Sequence, residues 1–393
     1  MVLIEMKDSV DVVYVVASKL GSIGMGTTAY NATKKLENSG LKYKIFCRGH
    51  NKNLKLNEKN IISAGYLEYL SLPLRFAEKK LHMKISPFEF VNKKFGGFVL
   101  RRLPKCKIYH MWMHVPTEIA IRAKEQGAIL ILEGANSHPV TCTKILNYEF
   151  ENFNKKEYMS NLQDVKRSSE IYKNFDYIMC PSDFVYNSFL ENGFEKEKLI
   201  KMPYGVNTQK FVPGIKKGKK FRLAFVGSLQ LRKGIQYLLK AWSELKLKNA
   251  QLLVVGRVWP DAVEVVEKYK KNPTIKFLGF DRNPLETLQQ SDVFVSPSLE
   301  EGSALTVYEA MACGLPIIAT KNTGCVAANK KDGFIIPIRD VKSLKEKIKY
   351  FYDNPNEIKR MGKNARKRVE QFSWDNYGER LKSKYLEILD NES

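Results

Sequence analysis

Two carboxylates, Glu301 and Glu309, stand eight residues apart around the small-residue run Gly302-Ser-Ala-Leu-Thr306. A strand-like run, Asp292 to Ser296, precedes them, and a helix-like run from Thr306 to Cys313 follows. A strand that feeds a helix through such a turn leaves backbone N–H groups without intrahelical partners at the helix start, where they can hold a phosphate. Glu301 then sits at the mouth of an anion site, with Glu309 about one turn inside the helix. Either residue alone also reads as an ordinary solvated carboxylate. A second stretch, Gly227-Ser-Leu-Gln-Leu-Arg-Lys-Gly234, also follows a strand-like run and opens a helix. It offers Arg232 and Lys233 to an anion in a closed cleft, where a cation gains strongly.

The first segment, continued by Ala310-Met-Ala-Cys-Gly-Leu-Pro316, resembles the E-x7-E motif of retaining, family 4-type (group 1) glycosyltransferases of the GT-B fold. The resemblance implies that Glu301 holds the donor sugar at its 3- or 4-hydroxyl and Glu309 grips the ribose hydroxyls. Gly302, Ser303, Ala304, Leu305 and Thr306 would form a backbone cradle, with the Thr306 hydroxyl added. Gly227–Gly234 is similar to the family's Gly-Arg-x4-Lys-Gly and places Lys233 on the motif's lysine. It departs at Ser228, where the family has a second cation, and Arg232 is the candidate replacement.

Ser18 to Gly26 resembles the family's Gly-Gly-x-Gly loop, with Gly24 and Gly26 matching and Ile23 in place of the first glycine. A tight turn with no ligand is the competing reading. Glu133-Gly-Ala-Asn-Ser-His138 resembles a Glu-Arg-Gly-Ser-Ser-His run from one branch, which implies that His138 faces the sugar; a structural histidine bonded to backbone is the alternative. His110 and His114 flank Trp112 at another strand end, and His110 is assigned to orienting the acceptor or a loop. The nucleobase is expected beside the loop after Ile275–Gly279, near Leu278. The resemblance implies a UDP- or GDP-hexose co-substrate, no cofactor, and transfer with retention by a front-face route. The chain contains no Asp-x-Asp, which argues against the metal-dependent class.

The elements that must position these residues are legible as alternation. Short β-branched runs at 10–16, 44–47, 108–110, 128–132 and 177–180 alternate with amphipathic stretches, and a second cycle runs from Arg222 to Ile336. This is the pattern of parallel sheets covered by helices. The glycine- and lysine-rich stretch 213–220 reads as an exposed linker. Domains are therefore expected at 1–205 for the acceptor and 206–372 for the donor. The expected architecture is α/β, two Rossmann-like domains facing a cleft, with residues 373–393 as a helix crossing back to the first domain.

A chain of 393 residues fits two domains, and 44% hydrophobic with 27% charged residues is the composition of a soluble globular protein. No apolar run is long enough to span a bilayer, and the first residues lack a signal-peptide pattern, so a cytoplasmic site, peripheral on the inner membrane face, is expected. The six scattered cysteines read as reduced thiols. The net charge of +23 asks for an anionic partner. Residues 51–107 carry 13 Lys/Arg against 4 Asp/Glu, interleaved with aromatic residues from Tyr69 to Arg102. That mixture suits an anionic lipid surface, with an ordinary solvated basic face as the alternative. No nucleic-acid motif accompanies it. The expected acceptor is a lipid-linked or envelope glycan. A soluble acceptor and a non-catalytic sugar-nucleotide-binding homologue remain as alternatives.

Overall fold

A computed structural model describes residues 10–69 and 87–391. The first nine residues, and residues 70–86 of the basic, aromatic run that begins at Tyr69, lie outside the described residues. Two parallel sheets form the body. The first contains seven strands: β1 (Val10–Leu20), β2 (Tyr43–His50), β3 (Ile61–Ser63), β4 (Cys106–Trp112), β5 (Ile129–Glu133), β6 (Tyr177–Cys180) and β7 (Leu199–Lys201). Their spatial order is β3-β2-β1-β4-β5-β6-β7. The second contains β8 (Phe221–Val226), β9 (Ala250–Val255), β10 (Ile275–Gly279), β11 (Val293–Ser296), β12 (Ile317–Thr320) and β13 (Gly333–Ile336), in the order β10-β9-β8-β11-β12-β13.

Both orders are doubly wound, reversing once, between β1 and β4 in the first sheet and between β8 and β11 in the second. The strands read as unbroken apolar runs because both faces are covered: Val12 through Val16 are wholly buried. Strand extents match the alternation read from sequence, with β1 running on to Leu20. The short edge strands β3 and β7 and the helix Val263–Tyr269 gave too little periodicity to be read.

The chain crosses between the halves twice, and the crossings lie side by side. Val206 N–H donates to the Phe372 carbonyl at 2.9 Å, where Val206 and Ser373 form a parallel bridge. Beyond it the helix Trp374–Asp390 packs on the helix Met25–Lys34, with Lys35 paired to Asp375 and Glu379. The last helix therefore belongs to the first half, as the resemblance implied. One apolar core continues from β1 through Tyr204, Val206 and Phe211 to Tyr308, Met311 and Tyr385, joining the halves along these crossings. All six cysteines are free thiols, and burial pushes that of Cys47 up to about 12.

Candidate functional site

The carboxyl ends of the two sheets face one another across a cleft of about 950 Å³. Its walls come from the loops at the two points where strand order reverses, the usual place for a ligand in an open α/β sheet. On the second sheet these loops follow the neighbouring strands β8 and β11. The loop after β8 enters the helix Ile235–Leu245 through Gly234, which holds φ 70°. A Cβ there would stand 2.0 Å from the Pro297 carbonyl oxygen, so only glycine lets the two loops meet. That contact brings Lys233 to Glu301.

Lys233 pairs with Glu301, and the Arg232 guanidinium reaches the other Glu301 oxygen at 3.2 Å. Burial, then the charge of Arg232, hold the Lys233 ammonium down at about 7, while Glu300 opposes them. Glu309 also lines the cleft; burial pushes its carboxyl up to about 7, opposed by Lys210. Ser228 lines the cleft as well, its hydroxyl accepting from the Gln230 amide.

The helix Leu305–Ala312 begins in the cleft with no side-chain cap at Ala304, so its first-turn N–H groups face the site. The cradle is narrower than the motif implied. Ala304 N–H is spent on the Thr323 carbonyl at 3.2 Å, and the Ser303 hydroxyl is engaged with Tyr308 and Gly324. Gly302 does not line the cleft; its backbone packs on Ala135 of the first half. Leu305 and Thr306 remain as the donors at the helix start.

Across the cleft, Gly24 lines the wall with φ 80° at the start of the helix Met25–Lys34, and open space lies where a Cβ would be. Gly26 lies inside the turn instead, its carbonyl accepting from Gly21 N–H at 2.8 Å. A Cβ on Gly26 would meet the Lys19 carbonyl at 2.1 Å, so that glycine serves the turn. Leu278 is half exposed outside the cleft, whose wall is built by the following residues Phe280, Asp281 and Arg282.

His138 requires a correction, since it does not reach the cleft. Its Nδ1 accepts from Val140 N–H at 3.3 Å, capping the helix Pro139–Asn152, and its ring packs on Phe189 and Phe194. Burial lowers its pKa to about 4. The histidine in the cleft is His114, on the loop after β4, beside β1 at the reversal of strand order. Its backbone holds φ 72°, a conformation costly for a residue with a side chain. Although His114 is exposed as a residue, burial and then the charge of Arg232 lower its pKa, with Glu300 opposing them. His110 lies deep in the first half, its Nδ1 hydrogen-bonded to Tyr385 at 2.6 Å and its Nε2 3.1 Å from the Glu133 carboxylate, so it braces the crossing helix.

Sequence reasoning missed several residues. Arg257, Arg282 and Lys210 join Arg232 and Lys233 to give the cleft five cations against three carboxylates, Asp281, Glu301 and Glu309. Arg257 carried a usable signal, because Val255-Gly-Arg257 ends a strand in the manner of Val226-Gly-Ser228. Glu300, fully buried between Ser137 and Arg232, was not singled out in the sequence.

Comparison with known proteins agrees with this fold. Residues 206–368 match the family described as Glycosyl transferases group 1. Over 177 residues the chain is 31% identical to the capsular polysaccharide biosynthesis glycosyltransferase CapM of Staphylococcus aureus, covering 43% of this chain and 47% of that protein. Over 224 residues it is 28% identical to the UDP-Gal:alpha-D-GlcNAc-diphosphoundecaprenol alpha-1,3-galactosyltransferase of Escherichia coli, covering 50% and 56%. These matches span about half the length of each relative. The sucrose-phosphate synthase of Thermosynechococcus elongatus shares the fold, with a TM-score of 0.72 at 17% identity over 97% of this chain and 100% of that one.

Proposed function

We propose that this chain, whose residues 206–368 match the family described as Glycosyl transferases group 1, moves a hexose from a nucleoside diphosphate sugar to a glycan acceptor. One observation carries the reading: Lys233, Glu301, Glu309 and an uncapped helix start converge on one wall of a cleft between two doubly wound sheets. Lys233 and the N–H groups of Leu305 and Thr306 take the diphosphate, whose charge grows as the sugar–phosphate bond breaks. Arg257 and Arg282 add positive charge to the same cleft. Glu309 holds the ribose hydroxyls and Glu301 the sugar. Transfer proceeds with retention, the departing phosphate oxygen taking the acceptor's proton. The cations and helix start neutralise the leaving group, so no divalent metal is needed.

A UDP-hexose donor and a lipid-linked acceptor are favoured by the galactosyltransferase relative, whose name states both. The molecular surface supports the second. On and around the helix Pro87–Leu100, the exposed Tyr66, Tyr69, Phe90 and Leu100 lie among Lys93, Lys94, Arg101 and Arg102. Asn92 of that helix bonds the His114 carbonyl at 3.1 Å, so this face adjoins the first-domain wall of the cleft. Among the described residues no helix is long and apolar enough to cross a membrane. Peripheral binding to the anionic inner face of a membrane would present a lipid-linked acceptor there.

The test is a thermal-shift screen with UDP, GDP and ADP and their hexose conjugates, in EDTA, with Glu309→Ala alongside. Stabilisation by one nucleotide, lost in the variant, supports the donor site and names the base. No shift with any of them at millimolar concentration overturns the reading. Co-sedimentation with anionic but not neutral vesicles tests the membrane face, and the anomeric configuration of the product tests retention.

A further inference from the structure

Both sequence neighbours of Glu301 touch the opposite half of the molecule. Glu300 is fully buried, and one of its oxygens accepts from the Ser137 N–H at 3.0 Å and the Ser137 hydroxyl at 2.8 Å. Its other oxygen receives the Arg232 guanidinium at 3.1 Å. On the far side of Glu301, the Gly302 carbonyl accepts from the Ser182 hydroxyl at 2.7 Å. The Gly302 backbone lies so near Ala135 that an added Cβ would stand 1.7 Å from the Ala135 carbonyl oxygen. Ala135 and Ser137 follow β5, and Ser182 follows β6. The carboxylate assigned to the sugar is thus held between two points that rest on the first domain.

A buried carboxylate is costly unless it is both paired and hydrogen-bonded, and for Glu300 each half supplies part of that compensation. Arg232 ties this contact to the site, since its other terminal nitrogen reaches Glu301. Separation of the loop Ala135–Ser137 from Glu300 would strip one oxygen of both Ser137 donors, admit water, and free Arg232 to shift off Glu301. A second buried carboxylate, Glu149, is gripped by Gln236, Tyr237 and Arg339 across the same interface, so the halves stay joined without Glu300.

We infer that Glu300 is a positioning residue that couples the seating of the Ala135–Ser137 loop to the placement of Arg232 and Glu301. The groups assigned above to the diphosphate and ribose all lie in the second domain, so loss of the Ser137 contact is expected to act on turnover more than on nucleotide affinity. Its catalytic meaning rests on the donor-site reading above, while the contact rests on geometry alone.

The experiment compares Ser137→Ala, Glu300→Gln and the double variant. UDP affinity is measured by calorimetry, UDP release from UDP-glucose by kinetics, and backbone hydrogen exchange without ligand. Ser137→Ala is expected to keep the UDP Kd within about threefold and to lower kcat about tenfold or more, with the double variant no worse than Glu300→Gln. Exchange is expected to rise at 299–303, across the interface from the substitution. Additive losses, UDP affinity and kcat falling together, or an exchange change confined to 134–140 would overturn the coupling. A wild-type chain that binds none of UDP, GDP and ADP overturns the donor-site reading instead, and exchange then decides the coupling by itself.

Discussion

The Lys233 ammonium lies against the Glu301 carboxylate, and the two groups assigned to opposite ends of the donor's scissile bond satisfy each other. A diphosphate must compete with Glu301 for Lys233. Glu301→Gln is therefore expected to tighten UDP binding by a few-fold, on the order of 1 kcal/mol for a partly exposed pair. The same variant loses about 100-fold in transfer, because the sugar loses its anchor. Lys233→Ala is expected to weaken UDP binding and to lower transfer by about 10²–10³. Calorimetry with UDP, paired with initial rates, separates the two outcomes.

Donor binding is expected to be bell-shaped in pH. Lys233 is held down at about 7, below the ordinary lysine range, so its charge is present below that pH and lost as pH rises through it. Glu309 is pushed up to about 7, so its charge is present above that pH and lost as pH falls through it. UDP affinity therefore peaks near neutrality and falls by about tenfold per pH unit on each flank. Glu309→Gln flattens the acid flank and Lys233→Arg the alkaline one, as titration calorimetry across pH would read.

If Glu309 accepts the ribose hydroxyls, the site discriminates against a missing 2′-hydroxyl. A hydrogen bond to a charged group contributes about 1.5–3 kcal/mol, so UDP should outbind 2′-deoxy-UDP by about 10–100-fold. Glu309→Ala is expected to bind the two ligands equally. Equal binding by the wild type would remove Glu309 from the ribose.

The histidines separate stability from turnover. His138→Ala removes a helix cap and is expected to cost about 1 kcal/mol, seen as a fall of a few degrees in Tm, with kcat unchanged. His114→Gly relieves a left-handed backbone and is expected to stabilise by about 1 kcal/mol while lowering kcat about tenfold or more. Thermal melts and initial rates on both variants check the pair.

Much of the fold is legible because strands buried on both faces must be continuous β-branched runs. The strand Val293–Ser296 and the helix Ile235–Leu245 stand where periodicity placed them. Edge strands such as Leu199–Lys201 were not legible, since three residues on a sheet margin carry no pattern of their own. Within the candidate site, Glu301, Glu309 and Lys233 were readable because the strand–turn–helix segments that carry them resemble the family's motifs.

The amino-acid sequence by itself determined the local elements: a helix start after a strand and turn, the two carboxylates and the cation near it, and the glycines that admit close backbone approach. Tertiary structure alone decided which histidine faces the cleft. Strand order puts β4 beside β1, so the loop carrying His114 opens at the reversal, while His138 turns back to cap its own helix. It also decided that Glu300 joins two domains, because Ser137 and Glu300 are 163 residues apart and only packing brings them within 2.8 Å. Spacing along the chain encodes what a turn or a helix can hold; contacts between distant segments are set by how the sheets are wound and where their buried charges find partners.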